Sequence, residues 1–339
     1  MPKTPKHILV IRLSAMGDVA MSVPILRAFT EQYPEIKITV LTRAVFAPLF
    51  RDLKHTQVFP ANVDGNHKGI FGLYKLSKSL KGLKIEAIAD LHNVLRTKIL
   101  KMFFFGTSFI QIDKGRAEKK ALTSGKVFKQ LRTTHQRYAD VFKQLGYPLD
   151  LSNPKFPKPY GLSDKIFEIA NKDTQSWIGI APFAAYASKM YPLDLMEQVI
   201  ETLSKKRKII LFGGGDNEVK ILSVLENKFE NVFSVAGKLS LDEELDLISN
   251  LDLMLSMDSA NGHIAAILGV KVVTIWGVTH PYAGFTAFNQ PGDYALLSDR
   301  DQFPLIPTSV YGNTYPVEYT EVSRSISPEN VINKIESIL

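Results

Sequence analysis

The chain has 339 residues, 45% hydrophobic and 22% charged, a globular composition that excludes a disordered chain and suits two domains. It contains no cysteine, which excludes disulfides and thiolate metal sites, and no apolar run in it is long enough to cross a bilayer. The formal charge of +7 is uneven: eleven basic residues between Arg96 and Arg137 oppose only Asp113 and Glu118, so that segment carries +9 and the rest −2. Lys3 and Lys6 are not followed by a signal-peptide core, so a cytoplasmic protein is expected. A basic concentration of this size is either a solvated face or a surface for anionic lipid head groups, phosphorylated glycans or nucleic acid.

Apolar runs of strand length alternate with helix-period segments through both halves, the pattern of parallel sheets covered on two faces. In the first half strands are predicted at Ile8–Leu13, Ile36–Leu41, Gln57–Pro60, Ile85–Asp90 and Phe109–Ile112, with helices near Gly69–Leu80 and Thr134–Leu145. Phe103, Phe104 and Phe105 either end a buried helix or dip into a membrane surface beside the basic segment. Pro154, Pro157 and Pro159 then exclude helix and sheet interior, marking a linker. The pattern restarts with strands at Trp177–Ala181, Lys208–Phe212, Val232–Val235, Leu251–Met257 and Val270–Trp276. Ser240 and Glu243 form a capping box ahead of a helix carrying Leu245, Leu247 and Ile248. Phe303 to Tyr319 reads as irregular, and a last helix starts with Ser327 as N-cap and Pro328 at its first position, ending at Ile338. The expected boundaries are 1–152 for a first Rossmann-like domain, 153–162 for the linker, 163–325 for a second Rossmann-like domain and 326–339 for the closing helix. Two such α/β domains, with parallel sheets facing a cleft, bind ligands at the carboxyl ends of their strands.

Within this frame the segment Met254–Gly277 carries the most chemistry. A strand runs into Asp258, and Ser259, Ala260, Asn261 and Gly262 open a helix whose first amides suit an anion. His263 lies in the first helical turn, as a phosphate contact or as helix packing; no second ligand at metal-binding spacing accompanies it. Asp18 follows the first strand at a helix start, where an aspartate ordinarily caps amides, and Gly17 gives the backbone its freedom to turn there. Lys189 sits on a loop after a strand, a position where most lysines are solvated. Gly213, Gly214 and Gly215 lead into Asp216 and Glu218 without the dinucleotide fingerprint, which disfavours a nicotinamide oxidoreductase.

Four stretches, taken in order, resemble the motifs of glycosyltransferase family nine, the bacterial heptosyltransferases. They are His7–Phe29 with its Met16-Gly17-Asp18, Ile88–Thr97, Met254–Gly277 with its Asp258-Ser259-Ala260, and Ile326–Val331. The loop Ala181–Pro192 resembles that family's donor-phosphate loop. The resemblance implies the GT-B architecture, with the last helix crossing back to the first domain, and an inverting, metal-independent transfer with no cofactor. It implies Asp18 as catalytic base, Lys189 against the donor diphosphate, Asp216 or Glu218 on the donor ribose, and residues 258–263 around the phosphates. The implied donor is ADP-heptose and the implied acceptor an anionic glycolipid, a lipopolysaccharide core or lipid A–Kdo. That acceptor suits Arg96, Lys98, Arg116, Arg132 and Arg137, and brings peripheral contact with the inner face of the cytoplasmic membrane; no nucleic-acid partner is expected. Three departures stand out: Ser259-Ala260 for Thr-Gly, Ala184 and Ala185 where relatives place hydroxyl donors, and His92-Asn93 for Gln-Gly. Two rival readings are a nucleotide-sugar epimerase of the same architecture and a non-catalytic polyanion binder.

Overall fold

A computed structural model describes residues 4–170 and 176–339; Lys3 lies outside the described residues. In chain order the elements of the first half are β1 (His7–Ile11), α1 (Met16–Ala20), α2 (Val23–Gln32), β2 (Lys37–Thr42), β3 (Thr56–Pro60), α3 (Gly69–Lys81), β4 (Ala87–Asp90), α4 (Leu95–Met102), β5 (Ser108–Gln111), α5 (Arg116–Thr123) and α6 (Thr134–Gln144). The second half adds α7 (Asp164–Ala170), β6 (Trp177–Ala181), α8 (Leu193–Ser204), β7 (Lys208–Leu211), α9 (Asp216–Lys228), β8 (Val232–Ser234), α10 (Leu241–Ile248), β9 (Leu253–Met257), α11 (Ala260–Ile267), β10 (Lys271–Trp276), β11 (Ala295–Leu297) and α12 (Pro328–Ile338). Every predicted strand is present within two residues. β11 was not predicted: three partly exposed residues at a sheet edge carry too little apolar periodicity to announce a strand.

The chain divides into two compact units, Met1–Lys114 with Thr134–Lys155, and Gly115–Thr133 with Phe156–Leu339. The first holds a parallel sheet of order β3-β2-β1-β4-β5, the second one of order β11-β10-β9-β6-β7-β8. Fully buried strands such as Ile8–Ile11 and Leu253–Leu255 read as continuous apolar runs because helices cover both faces. In each sheet the chain winds outward from a central strand, then crosses back to its other side. The switch points therefore fall between β1 and β4 and between β6 and β9, and ligands of open α/β sheets bind outside the carboxyl ends of such strand pairs.

Two boundaries differ from the sequence expectation. Gly115–Thr133 belongs with the second unit, because Leu122 and Leu131 bury against Ala283 and the Leu131 amide donates to the Tyr282 carbonyl at 3.0 Å. The second unit also begins at Phe156, ahead of the expected end of the linker. Helix α12 is no separate piece. It packs on α8, with Val331 and Ile335 fully buried in the second unit's core. The capping box forms as read, Ser240 Oγ accepting from the Glu243 amide and the Glu243 carboxylate from the Ser240 amide; Ser327 likewise caps α12 through the Asn330 amide. We expect Ile335→Ala to lower unfolding free energy by about 2–5 kcal/mol in a urea titration, since the emptied site lies between two packed helices.

Candidate active site

In the first unit the site loops are those following β1 and β4. The Arg12 guanidinium leaves the end of β1, donates through Nη1 to the Leu91 carbonyl at 2.7 Å and pairs through Nη2 with Asp18 Oδ2 at 2.5 Å. It lies over the Tyr138 ring at 5.9 Å, and the Tyr138 hydroxyl donates to the Asp18 carbonyl at 3.2 Å. Asp18 thus sits in the first turn of α1 with its side chain 30% exposed, held by Arg12 after β1 and Tyr138 of α6, while Arg12 is itself anchored on Leu91 after β4. One carboxylate oxygen is fixed by the buried arginine, and a carboxylate has a second oxygen to accept hydrogen bonds. Sequence reasoning missed Arg12, which fell inside the predicted strand Ile8–Leu13.

The loop after β4 is tied by the fully buried Asp90. Its Oδ1 accepts from the His92 and Asn93 amides and its Oδ2 from Gln111. Buried His92 approaches Ser14 with Nε2 at 3.4 Å. Burial, then Arg12, Lys114 and Arg96, push its pKa down to about 3, so its ring is neutral at pH 7.

In the second unit Lys189 ends a short 3-10 turn, Ala187–Lys189, on the loop after β6. Its ammonium pairs with Asp258 Oδ2 at 2.8 Å, with the two side chains 13% and 8% exposed, and Thr279 donates to the same oxygen at 3.0 Å. The stem is clamped by backbone. A Cβ on Gly312 would fall 2.6 Å from Lys189 Cγ and Cδ, and one on Gly277 would fall 2.1 Å from the Ser188 carbonyl oxygen. The Val278 amide donates to that same carbonyl at 3.1 Å, and Ser188 Oγ donates to the Gly312 carbonyl at 2.5 Å. Buried Tyr191 completes the frame by donating to the Ile326 carbonyl at 2.7 Å. Thr279, Gly277, Gly312 and Ser188 were missed: they lie 1 to 123 residues from Lys189 and no short pattern links them.

The turn after β9 is tighter than its small residues suggest. Ser259 stands at the N-cap of α11, yet its Oγ lies 3.1 Å from Ser256 Oγ and does not cap the helix. Ser256 Oγ accepts from the Gly262 amide at 3.1 Å, so Gly262 is spent on internal packing and not on an approaching phosphate. Gly262 and His263 are buried; Ser259, Ala260 and Asn261 remain partly exposed, and the last two carry the first amides of an eight-residue helix. At the glycine turn, Glu218 Oε2 accepts from the Gly214 amide at 2.8 Å, which fastens the turn, while Asp216 stands exposed at the first position of α9. Gly215 alone of the three adopts a positive φ, +84°.

The five basic residues are divided between the two units and the interior. Arg96 and Lys98 lie on α4 in the first unit, whereas exposed Arg116 and Arg132 belong to the second. Arg137 is an interior residue, 4% exposed, with its guanidinium on the Asp113 carbonyl and 3.8 Å from the Asp113 carboxylate. Lys119 is also buried, its ammonium 4.0 Å from the centre of the Phe285 ring. Arg137 and Lys119 therefore do not belong to the solvated part of the +9 segment.

The model of glycosyltransferase family 9 (heptosyltransferase) matches residues 73–296. The chain belongs to glycosyltransferase family 9. It is 23% identical over 299 residues to the lipopolysaccharide core heptosyltransferase OpsX of Haemophilus influenzae, covering 82% of this chain and 81% of that one. It is 24% identical over 336 residues to lipooligosaccharide heptosyltransferase 2 of Campylobacter jejuni, covering 95% and 96%. Among solved structures it shares the fold of the E. coli ADP-heptose lps heptosyltransferase II, with TM-score 0.70, 18% identity and 98% of both chains covered. The two parallel-sheet α/β units are thus those of the GT-B class, and the chain is a glycosyltransferase.

Family membership gives the departures physical meaning. Asn93, where the motif it resembles has glycine, adopts φ +44°, a conformation asparagine tolerates better than other side chains, and its Nδ2 donates to the Ile112 carbonyl at 2.8 Å. Ser259 keeps the hydroxyl of the usual threonine but turns it onto Ser256. Ala184, partly buried, and Ala185, exposed, bring no hydroxyl to the loop ahead of Lys189.

Two measurements check this construction. Gly277→Ala must push the backbone carrying Lys189, so we expect a loss of about 1–3 kcal/mol in urea unfolding, against about 0.5 kcal/mol or less for Gly292→Ala, whose Cβ meets open space. For His92 the folded pKa of about 3 lies below the ordinary 6.5 of the unfolded chain. Its contribution to stability is whole above about pH 6.5 and is lost as pH falls toward 3; His280, pushed to about 4, acts in the same sense. His92→Gln should therefore make the urea midpoint fall less between pH 7 and pH 5 than it does in wild type.

Proposed function

We propose that this family 9 transferase is an inverting heptosyltransferase that moves heptose from ADP-heptose to the core of a lipopolysaccharide or a related anionic glycolipid. The observation that carries the reading is the Lys189 ammonium, held at 2.8 Å by Asp258 beside the first exposed amides of α11. An ammonium has three donors, and a carboxylate occupying one leaves two for diphosphate oxygens. Asp258 and Thr279 act as positioning residues: they fix a lysine that would otherwise sample many rotamers. Asp216, exposed at the start of α9, takes the ribose hydroxyls, because Glu218 is engaged in holding its own turn.

In the step itself an acceptor hydroxyl gives its proton to Asp18 while its oxygen attacks the anomeric carbon of the donor. The bond from that carbon to the diphosphate oxygen breaks, and its electron pair leaves with ADP, giving inversion. Lys189 and the amides of Ala260 and Asn261 stabilise the charge that builds on the leaving diphosphate. Arg12 orients the Asp18 carboxylate toward its task. The acceptor is met at the inner face of the cytoplasmic membrane, with Arg96, Lys98, Arg116 and Arg132 as the cations for its anionic groups. The polyanion-binder and epimerase readings give way to the family match and to relatives named as heptosyltransferases.

Separate variants divide the two tasks. Asp18→Asn should retain the ADP-induced rise in melting temperature and lose at least about a hundredfold in transfer rate, the scale of general-base catalysis. Lys189→Met should lose both the ADP shift and the transfer. Full transfer by Asp18→Asn would falsify its role as base.

A further inference from the structure

Two neighbouring helices of the first unit expose an apolar patch that the transfer chemistry does not use. On α3, Phe71 is 90% exposed, with Ile70 and Tyr74 also open; at the end of α4, Met102 is 77% and Phe105 100% exposed. The helices pack on each other, and the Tyr74 and Phe103 rings meet edge to face at 5.5 Å, which joins the two sets of side chains into one surface. The core needs none of them. Leu73, Leu76 and Leu80 from α3, with Leu100 and Phe104 from the α4 segment, already fill the inner face. Of the three consecutive phenylalanines, then, Phe104 points inward and Phe105 outward.

The charge on these helices is of one sign. Residues 69–81 contribute Lys75, Lys78 and Lys81, residues 95–102 contribute Arg96, Lys98 and Lys101, and neither stretch contains an acidic residue. Lys78 folds over the Tyr74 ring at 4.8 Å and Lys101 over Phe109 at 5.5 Å, so apolar stems and rings lie along the surface with ammonium groups among them. Among the described residues no helix is long and apolar enough to cross a membrane. Large exposed aromatics rimmed by lysines suit shallow insertion at an interface, where the rings enter the acyl boundary and the cations meet phosphates.

We propose that the α3–α4 face is a docking surface for a bilayer bearing anionic phospholipids. It deepens the proposed function by placing the enzyme where a glycolipid acceptor resides, yet it stands without that reading, since binding needs neither donor nor acceptor. The test is co-sedimentation of the full chain with vesicles of phosphatidylethanolamine and phosphatidylglycerol, compared with vesicles of phosphatidylcholine alone. Wild type should partition onto the anionic vesicles and not onto the neutral ones. Phe71→Ser/Phe105→Ser should weaken partitioning at least about tenfold. Lys75→Glu/Lys78→Glu should weaken it about twentyfold or more, each lysine near an anionic surface being worth about fivefold. Both variants should keep the wild-type circular dichroism spectrum and the ADP-induced melting shift, which separates failure of this surface from failure of the transferase reading. Equal vesicle binding by wild type and both variants, or no binding by wild type, would overturn the proposal. So would light scattering showing that Phe71→Ser/Phe105→Ser turns a wild-type dimer into a monomer, because the patch would then belong to a second copy.

Discussion

The ion pair between Lys189 and Asp258 is the constraint around which the second unit's site is arranged. A flexible lysine carries substantial rotamer entropy, and here that freedom is removed in two ways. Its stem runs against backbone at Gly312, and its head is bound by a carboxylate that also accepts from Thr279. The loops bearing these groups come from β6, β9, β10 and the irregular stretch beyond β11, so the lysine reports the correct closure of four chain segments. Burial of the pair, at 13% and 8% exposure, makes loss of either partner costly, because the survivor would be left charged and uncompensated.

The same logic recurs in the first unit with the charges reversed. There an arginine is the buried partner and an aspartate the exposed one, held by contacts from β1, β4 and α6. Each constellation sits at the switch point of its own parallel sheet, where adjacent loops diverge and strand ends leave a crevice. A scaffold of fully buried strands thus gives each unit a rigid base, and chemistry is placed on the loops by short-range clamps.

Much of the fold could be read from local pattern, since strands buried on both faces announce themselves as apolar runs and proline marks the boundary region. The capping residues Ser240 and Ser327 were legible because a cap is a contact across three residues. Arg12 was not, because its partners are six residues away at Asp18 and far beyond at Leu91 and Tyr138. The basic segment misled for a related reason. Charge counted along a sequence assumes a common face, whereas folding sent Arg137 and Lys119 inward and divided the remainder between two units.

What the sequence determined by itself was the α/β class, the succession of strands and helices, the candidacy of Asp18, Lys189 and Asp258, and the family to which the motifs point. These rest on periodicity, caps and short spacings, which act within a few residues. Tertiary structure alone decided which glycines serve packing, that Ser259 turns its hydroxyl onto Ser256 and leaves α11 uncapped, that Glu218 fastens its own turn, and which of three consecutive phenylalanines faces water. Each of those outcomes depends on an atom brought close by the winding of a parallel sheet, whose neighbouring strands lie dozens of residues apart in the chain.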